Sequence, residues 1–141
     1  MSRVGERGSA TIELAIIAPA LLALLGLVIV AGRVQVAASA VEQAAAAAAR
    51  AASIARDARS AQAQASLAAR GSLVSQGIAC DPATTSVDTG GFAVPVGQSA
   101  IVSTRVSCRV ALADLAVPGM PGSRTVAAEV TSPIDRFRAR G

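Results

Sequence analysis

An uninterrupted apolar run near the N-terminus constrains this chain more than any other feature. From residue 14 to residue 31 no side chain is charged or carries a hydrogen-bonding group. At about 1.5 Å per residue the run measures roughly 27 Å, and a few flanking residues extend it to the ~30 Å thickness of a bilayer's hydrocarbon. The run therefore predicts a transmembrane helix, which we place at residues 9–33.

One carboxylate, Glu13, stands immediately before this run and apart from the charged residues Arg3, Glu6 and Arg7. A charge at the edge of hydrocarbon is costly unless it has a partner. Glu13 could simply complement the helix macrodipole, with Thr11 as an approximate cap, which is worth about 0.3–1 kcal/mol. Alternatively, it pairs with a specific cation. The residues alone leave both interpretations open.

The apolar run is followed by a long alanine-rich segment. Residues 34–70 contain neither Pro nor Gly, and alanine is the best helix former. Polar residues recur there every three or four positions, and a stripe of small residues lies between them: Val41, Ala45, Ala48, Ala52 and Ala55. The pattern predicts a helix that ends at Gly71 and packs closely against identical helices or against the chain's own domain. The alternative is a partly frayed spacer.

The rest of the chain, residues 71–141, is typical of a small β-rich domain. Residues 99–112 alternate strictly and predict a strand with Val102, Val106 and Cys108 on one face; residues 124–132 predict a returning partner strand. Residues 72–80 look β-like, and residues 81–88 and 117–122 predict a turn and a loop. Pro95 makes residues 92–97 an edge strand or no strand. The predicted fold class is α+β with an antiparallel sheet.

The two cysteines, Cys80 and Cys108, both follow the predicted membrane segment. In an exported domain an even pair predicts a disulfide, whereas in a cytosolic domain the same residues would be unpaired buried thiols. On the chain-entropy model such a bridge contributes about 3–4 kcal/mol. That is a large share for a small domain, because alanine and the near absence of aromatic residues leave little area to bury.

Composition argues against catalysis and nucleic-acid binding. The sequence has no His and no Lys, and its carboxylates show no spacing typical of an acid–base pair or a metal site. We therefore predict a non-enzyme without metal or cofactor. The thirteen basic residues form no stripe interleaved with aromatic residues, so we expect no nucleic-acid partner.

The N-terminal segment resembles a known family. Gly8, Glu13, Pro19, Gly26 and the closing Gly32–Arg33 match the N-terminus of TadE-like proteins, which are minor pilins or pseudopilins of the tight-adherence (Tad) branch of type IV pili. The resemblance implies that a prepilin peptidase removes a cytoplasmic leader, residues 1–8, by cutting between Gly8 and Ser9. The new amine of Ser9 would then pair with Glu13 of a neighbouring subunit.

The resemblance also implies where the protein works and with what. The expected partners are the membrane, the prepilin peptidase, other pilins or pseudopilins and the pilus assembly platform. The expected location is the cell membrane or a surface pilus, with a single pass and an extracytoplasmic C-terminal domain. Two rivals stay open: a secreted domain beginning at Val41, because residues 38–40 form an A-x-A cleavage pattern, and a plain membrane-anchored domain without a filament.

Overall fold

The computed structural model describes residues 7–115 and 121–137 of the chain. Its elements, in chain order, are α1 (Arg7–Ser53), α2 (Ala58–Ser75), β1 (Ala83–Asp88), β2 (Ala100–Ala111), the short α3 (Leu112–Leu115) and β3 (Ser123–Ile134). The long N-terminal helix, the antiparallel sheet and the α+β class agree with the sequence-based prediction. Residues 116–120, which include most of the predicted loop, lie outside the described residues.

The three strands form one antiparallel sheet in the order β1-β2-β3. The central strand β2 alternates between buried and exposed residues along its whole length, as a strand covered on one face must. Val102, Thr104, Val106 and Cys108 share the buried face, so the predicted strand and its apolar face are confirmed. β3 confirms the predicted return strand, although it extends two residues further than expected.

Both helices cover the same face of the sheet, α1 over β2 and β3, and α2 beside β1. The buried stripe predicted on the alanine-rich segment is confirmed, and it packs against the chain's own domain. Alanine permits helices to approach to the short end of the 8–10 Å range, so the layers sit close although each side chain buries little area. The buried helical residues are Ala37, Ala40, Val41, Ala44, Ala45, Ala48, Ala49 and Ala52 of α1, and Ala61, Ala65, Ala69 and Leu73 of α2.

The prediction of one helix over residues 34–70 is wrong, because the chain breaks after Ser53 and reverses direction. Asp57 adopts an extended backbone and caps α2, with its Oδ1 accepting from the backbone N–H of Ser60 at 2.8 Å. The Ser60 hydroxyl in turn accepts from the Asp57 backbone N–H at 3.4 Å, which completes a reciprocal capping box. The Ser60 hydroxyl also donates to Oδ2 of Asp57 at 3.0 Å. The hydrogen bonds that the carboxylate accepts lower the pKa of Asp57 below its ordinary value, chiefly through the Ser60 backbone N–H and then through the Ser60 hydroxyl.

The predicted helix end at Gly71 is also wrong. Gly71 lies inside α2, which continues to Ser75 and therefore takes up part of the predicted β-like segment. Glycine costs a helix about 1 kcal/mol relative to alanine, and burial of Leu73 two residues further on offsets this cost. The chain turns only at Gly77, whose φ of +68° is readily adopted by glycine alone.

The turn predicted at residues 81–88 is confined to residues 81–82, and the rest is the edge strand β1. Its inner residues are half buried, and the side chain of Gln62 closes its outer edge. The Gln62 Nε2 donates to the carbonyl of Thr85 at 2.9 Å, while its Oε1 accepts from the N–H of Val87 at 3.1 Å. This amide imitates the backbone of a neighbouring strand, which explains why a segment rich in turn-forming residues is held as a strand.

No strand forms at residues 92–97, one of the two outcomes that Pro95 left open. The preceding residues make a 3₁₀ turn, Gly90–Ala93. Gly91 is required there, because a Cβ atom at this position would collide with the carbonyl oxygen of Ile101 and lie 3.0 Å from Cδ1 of Ile134.

Candidate functional site: the projecting half of α1

The helix α1 divides into two halves with different surroundings. In the projecting half, residues 12–33, nearly every side chain is exposed, including large ones such as Leu14 and Leu22. In the packed half, residues 34–53, burial begins at Ala37 and continues along one face to Ala52. By its length and composition, α1 could cross a membrane through the projecting half. The domain buries none of the most apolar 18-residue stretch of the helix.

The helix is continuous through the two residues that could interrupt it. Pro19 lies inside α1, where it removes one backbone hydrogen bond, and Gly26 has open space around its Cα. Both residues are more frequent in membrane helices than in soluble ones. The projecting half is therefore part of one continuous helix, as a single membrane span would be.

Glu13 lies near the start of this rod, where its side chain is exposed. Its apolar neighbours, Ile12, Leu14, Ile16 and Ile17, are exposed as well. Among the residues that the structure describes, Glu13 takes part in no ion pair. A carboxylate in this setting is available to a cation from another molecule.

The predicted cleavage position lies close to Glu13 in the fold. α1 begins at Arg7, so the backbone of Gly8 and Ser9 belongs to its first turn. Five residues separate Gly8 from Glu13, which corresponds to about 7.5 Å along a helix axis. The structure thus brings the three predicted assembly residues to one end of one helix. The first turn of a helix frays most easily, which is the property that access by a protease would need.

The other predicted pair lies in the globular domain. Cys80 and Cys108 form a disulfide with a Cα–Cα distance of 5.1 Å, which confirms the predicted bridge. Cys108 is fully buried on the inner face of β2, whereas Cys80 lies in the segment that follows α2. The bridge therefore ties the end of the helical layer to the sheet.

Sequence reasoning missed the place where the domain meets the projecting half. Arg33, Val36, Ile78 and Asp114 line one concavity there, although they come from three distant parts of the chain. No local signal marks Ile78 or Asp114, because their position depends on how α2 and β2 return toward α1.

The sequence of α1 matches a known protein family over most of its length. The family model described as TadE-like protein matches residues 8–50. The match begins at Gly8 and continues to Arg50, so it extends beyond the segment of evident resemblance into the packed half. No curated protein and no solved structure matches this chain significantly. The family match supports an association with the Tad pilus, and residues 8–50 of this chain form a TadE-like segment, as the N-terminal sequence predicted.

Proposed function

We propose that this protein is a minor pilin or pseudopilin, a structural or assembly subunit of a Tad-type type IV pilus, held in the membrane by the projecting half of α1. One observation carries the proposal: half of a single helix presents an exposed apolar surface with a carboxylate near its start, and its other half is built into a folded domain. A helix with this division fits a subunit that can pass from the membrane into a bundle of similar helices, because both surroundings are apolar.

Processing supplies the cation that Glu13 lacks. Cleavage between Gly8 and Ser9 removes the leader and leaves an α-amino group at Ser9, which is mostly charged at neutral pH. In lipid either charge alone is penalised, whereas a carboxylate and an amine on adjacent helices satisfy each other. The pair also fixes the axial stagger of the two helices, since a shift of one turn separates the charges by about 5.4 Å.

Burial of the packed half supports the proposal that the extracytoplasmic domain stays attached to its membrane helix. Cleavage at the A-x-A pattern, residues 38–40, would cut α1 inside its buried stretch and remove Ala37 and Ala40 from the core. A secreted product beginning at Val41 would therefore lose part of the surface that packs against the sheet. The plain membrane anchor without a filament is the rival that experiment must separate.

The test combines two substitutions on the same helix. Glu13→Gln removes the charge at nearly constant size, and Glu42→Gln makes the same change at an exposed carboxylate in the packed half. The mature mass, membrane fraction and pilus yield of the host are measured for both. We expect Glu13→Gln to be inserted and cleaved normally but to reduce assembly severely, while Glu42→Gln behaves like the wild type.

A second substitution tests processing. Gly8→Val, with a bulky β-branched residue at the cleavage position, is expected to retain residues 1–8 and to block assembly. Normal piliation in Glu13→Gln would remove the pairing argument. If filaments form while this protein keeps its leader, the result would favour a plain membrane anchor, with the pilus built from a different subunit.

A further inference from the structure

The end of the globular domain nearest the projecting half is formed by residues that are far apart in the sequence and meet beside α1. α2 runs back along α1, so Ile78 comes to lie beside Arg33 and Val36. β2 runs in the same direction, and α3 at its end places Asp114 in the same concavity. We call this surface the basal surface and define it by Arg33, Val36, Val74, Ile78 and Asp114, together with the cations named below.

The level of the basal surface follows from the length of the span. Residues 12–31 extend about 30 Å as a helix, which equals the hydrocarbon thickness. The headgroup region adds roughly 5–8 Å on each side, or about four further helical residues. Arg33 and Val36 fall within that layer, and Ile78 and Asp114 are at the same level because they share a concavity with them. The domain therefore has no gap between itself and the bilayer.

The chemistry of the basal surface suits this position. Val36 and Val74 are 64% and 76% exposed, so the basal surface presents aliphatic side chains to its surroundings. Arg70 lines a second concavity with Val74 and Ile78, and Arg109 lines a third with Asp114. Arginine can lay its stem along apolar material and extend its guanidinium toward phosphate.

Arginine outnumbers the carboxylates at the basal surface. Around the basal surface four cations face two carboxylates: Arg33, Arg70, Arg109 and Arg124 against Asp81 and Asp114. At the opposite end, near the α1–α2 break and the start of β2, four described cations face three carboxylates: Arg50, Arg56, Arg59 and Arg136 against Asp57, Asp88 and Asp135. Among the described residues both ends thus have an excess of cations, and the excess is larger around the basal surface than at the opposite end.

We propose that the basal surface rests on the bilayer and binds anionic lipid headgroups, with Val74 in the interfacial layer and Arg70 directed at the phosphates. The proposal rests on membrane insertion of the projecting half. It gives the domain a fixed tilt relative to the membrane before assembly, and assembly must then break the contact. Each arginine near an anionic surface favours the contact by roughly fivefold.

The chain contains no Trp, so single substitutions provide unambiguous fluorescent probes. Val74→Trp places a probe on the basal surface. Ile54→Trp places one at the opposite end, where Ile54 is 62% exposed. Leu24→Trp places one inside the span. Each full-length variant is reconstituted into vesicles of phosphatidylcholine with phosphatidylglycerol, and quenching by spin labels at the headgroup or at mid-bilayer depth is measured.

We expect headgroup labels to quench Val74→Trp several-fold more than Ile54→Trp, and mid-bilayer labels to quench Leu24→Trp. Quenching of Val74→Trp should be weaker in vesicles of pure phosphatidylcholine than in anionic vesicles. Adding Arg70→Gln to the Val74→Trp chain should reduce its quenching in anionic vesicles toward that lower value. Adding Arg56→Gln should not. Equal, weak quenching of Val74→Trp and Ile54→Trp while Leu24→Trp is quenched would overturn the basal contact alone. Absence of quenching in Leu24→Trp would overturn membrane insertion and the contact with it.

Discussion

The two halves of α1 have the same backbone but opposite surroundings. The projecting half carries leucine, isoleucine and valine, and nearly all of these side chains are exposed. The packed half carries mostly alanine, and most of its alanines are buried. The most apolar residues of the chain are thus outside the domain and the least bulky ones are inside. Large aliphatic side chains are suited to lipid, whereas a thin domain needs side chains that let its layers approach closely.

The globular domain and the projecting half differ in what stabilises them. A core made largely of alanine gains little from each buried residue, since burial contributes roughly 25 cal/mol per Å² of apolar area. The domain therefore depends on close fit, on the disulfide and on capped helix ends. The projecting half depends on none of these, because its backbone bonds are internal and its side chains need only an apolar medium.

The largest effect on stability is expected from removing the disulfide, which lies in the globular domain and not in the projecting half. The Cys80–Cys108 bridge closes a separation of 28 residues, so replacing both residues with alanine should lower the free energy of unfolding of the domain by about 3–4 kcal/mol. Far-UV circular dichroism in detergent micelles should show the packed half melting earlier while a residual helical signal persists. Complete loss of helix in a single transition would contradict independent halves, and the oxidised wild type in the same micelles is the control.

The same substitution in both halves sharpens the comparison. Ala48 is fully buried and Ala20 is exposed. Ala48→Leu should destabilise the domain by about 1–3 kcal/mol, because extra methylene groups force apart α1 and the layer beneath it. Ala20→Leu should leave the unfolding midpoint of the domain unchanged. Equal effects of the two variants in denaturant titrations would show that the projecting half is also packed within the subunit.

A stabilising change tests the core beneath the packed half. Thr104 is fully buried, and its Oγ1 has no hydrogen-bond partner among the described residues. Its cross-strand neighbours are Val87 and Val130. Thr104→Val removes the unsatisfied hydroxyl and should raise the free energy of unfolding by about 1 kcal/mol. Thr131→Val, on the exposed face of β3, should have almost no effect; destabilisation by Thr104→Val would show that the hydroxyl has a partner in solution.

The smallest effect concerns the break between the packed half and α2. The pKa of Asp57 is lowered in the folded state, mainly by the Ser60 backbone N–H. The unfolded chain therefore takes up the proton first, so the contribution of Asp57 is present above its unfolded pKa of about 3.9 and is lost as the pH falls through the lower folded value.

Asp57→Asn keeps an oxygen that can cap the helix and removes this titration. Its melting temperature should therefore fall less steeply than that of the wild type between about pH 4 and about pH 2. Glu42→Gln should follow the wild-type curve. Parallel curves for Asp57→Asn and the wild type would exclude a contribution from the charge of Asp57.

Sequence periodicity predicted the parts of the fold in which local pattern and environment agree. The strict alternation of β2 and the small-residue stripe of α1 each identify a buried face, because the spacing of side chains fixes which of them share a face. It failed at residues 54–57 and 83–88, where a capping box and the side chain of Gln62 decide the conformation. The Asp57–Ser60 spacing could have indicated the first of these; the second needed the position of α2.

The candidate site divides in the same way. Gly8, Ser9 and Glu13 could be named from the sequence because they lie within five residues of one another, so any helix holds them at one end. The basal surface could not, since Arg33, Ile78 and Asp114 are separated by tens of residues and meet only after two chain reversals. Contacts between distant segments carry no local signal.

The sequence by itself determined that this chain has one long apolar helix, a carboxylate near its start, an alternating strand and a pair of cysteines in the later part. These follow from side-chain polarity and period, which are local properties. Only the tertiary structure decided where α1 stops being exposed, that α2 folds back upon it, and which residues meet at the end of the domain beside the projecting half. Those features depend on packing between segments far apart in the chain, and close approach through alanine made that packing possible.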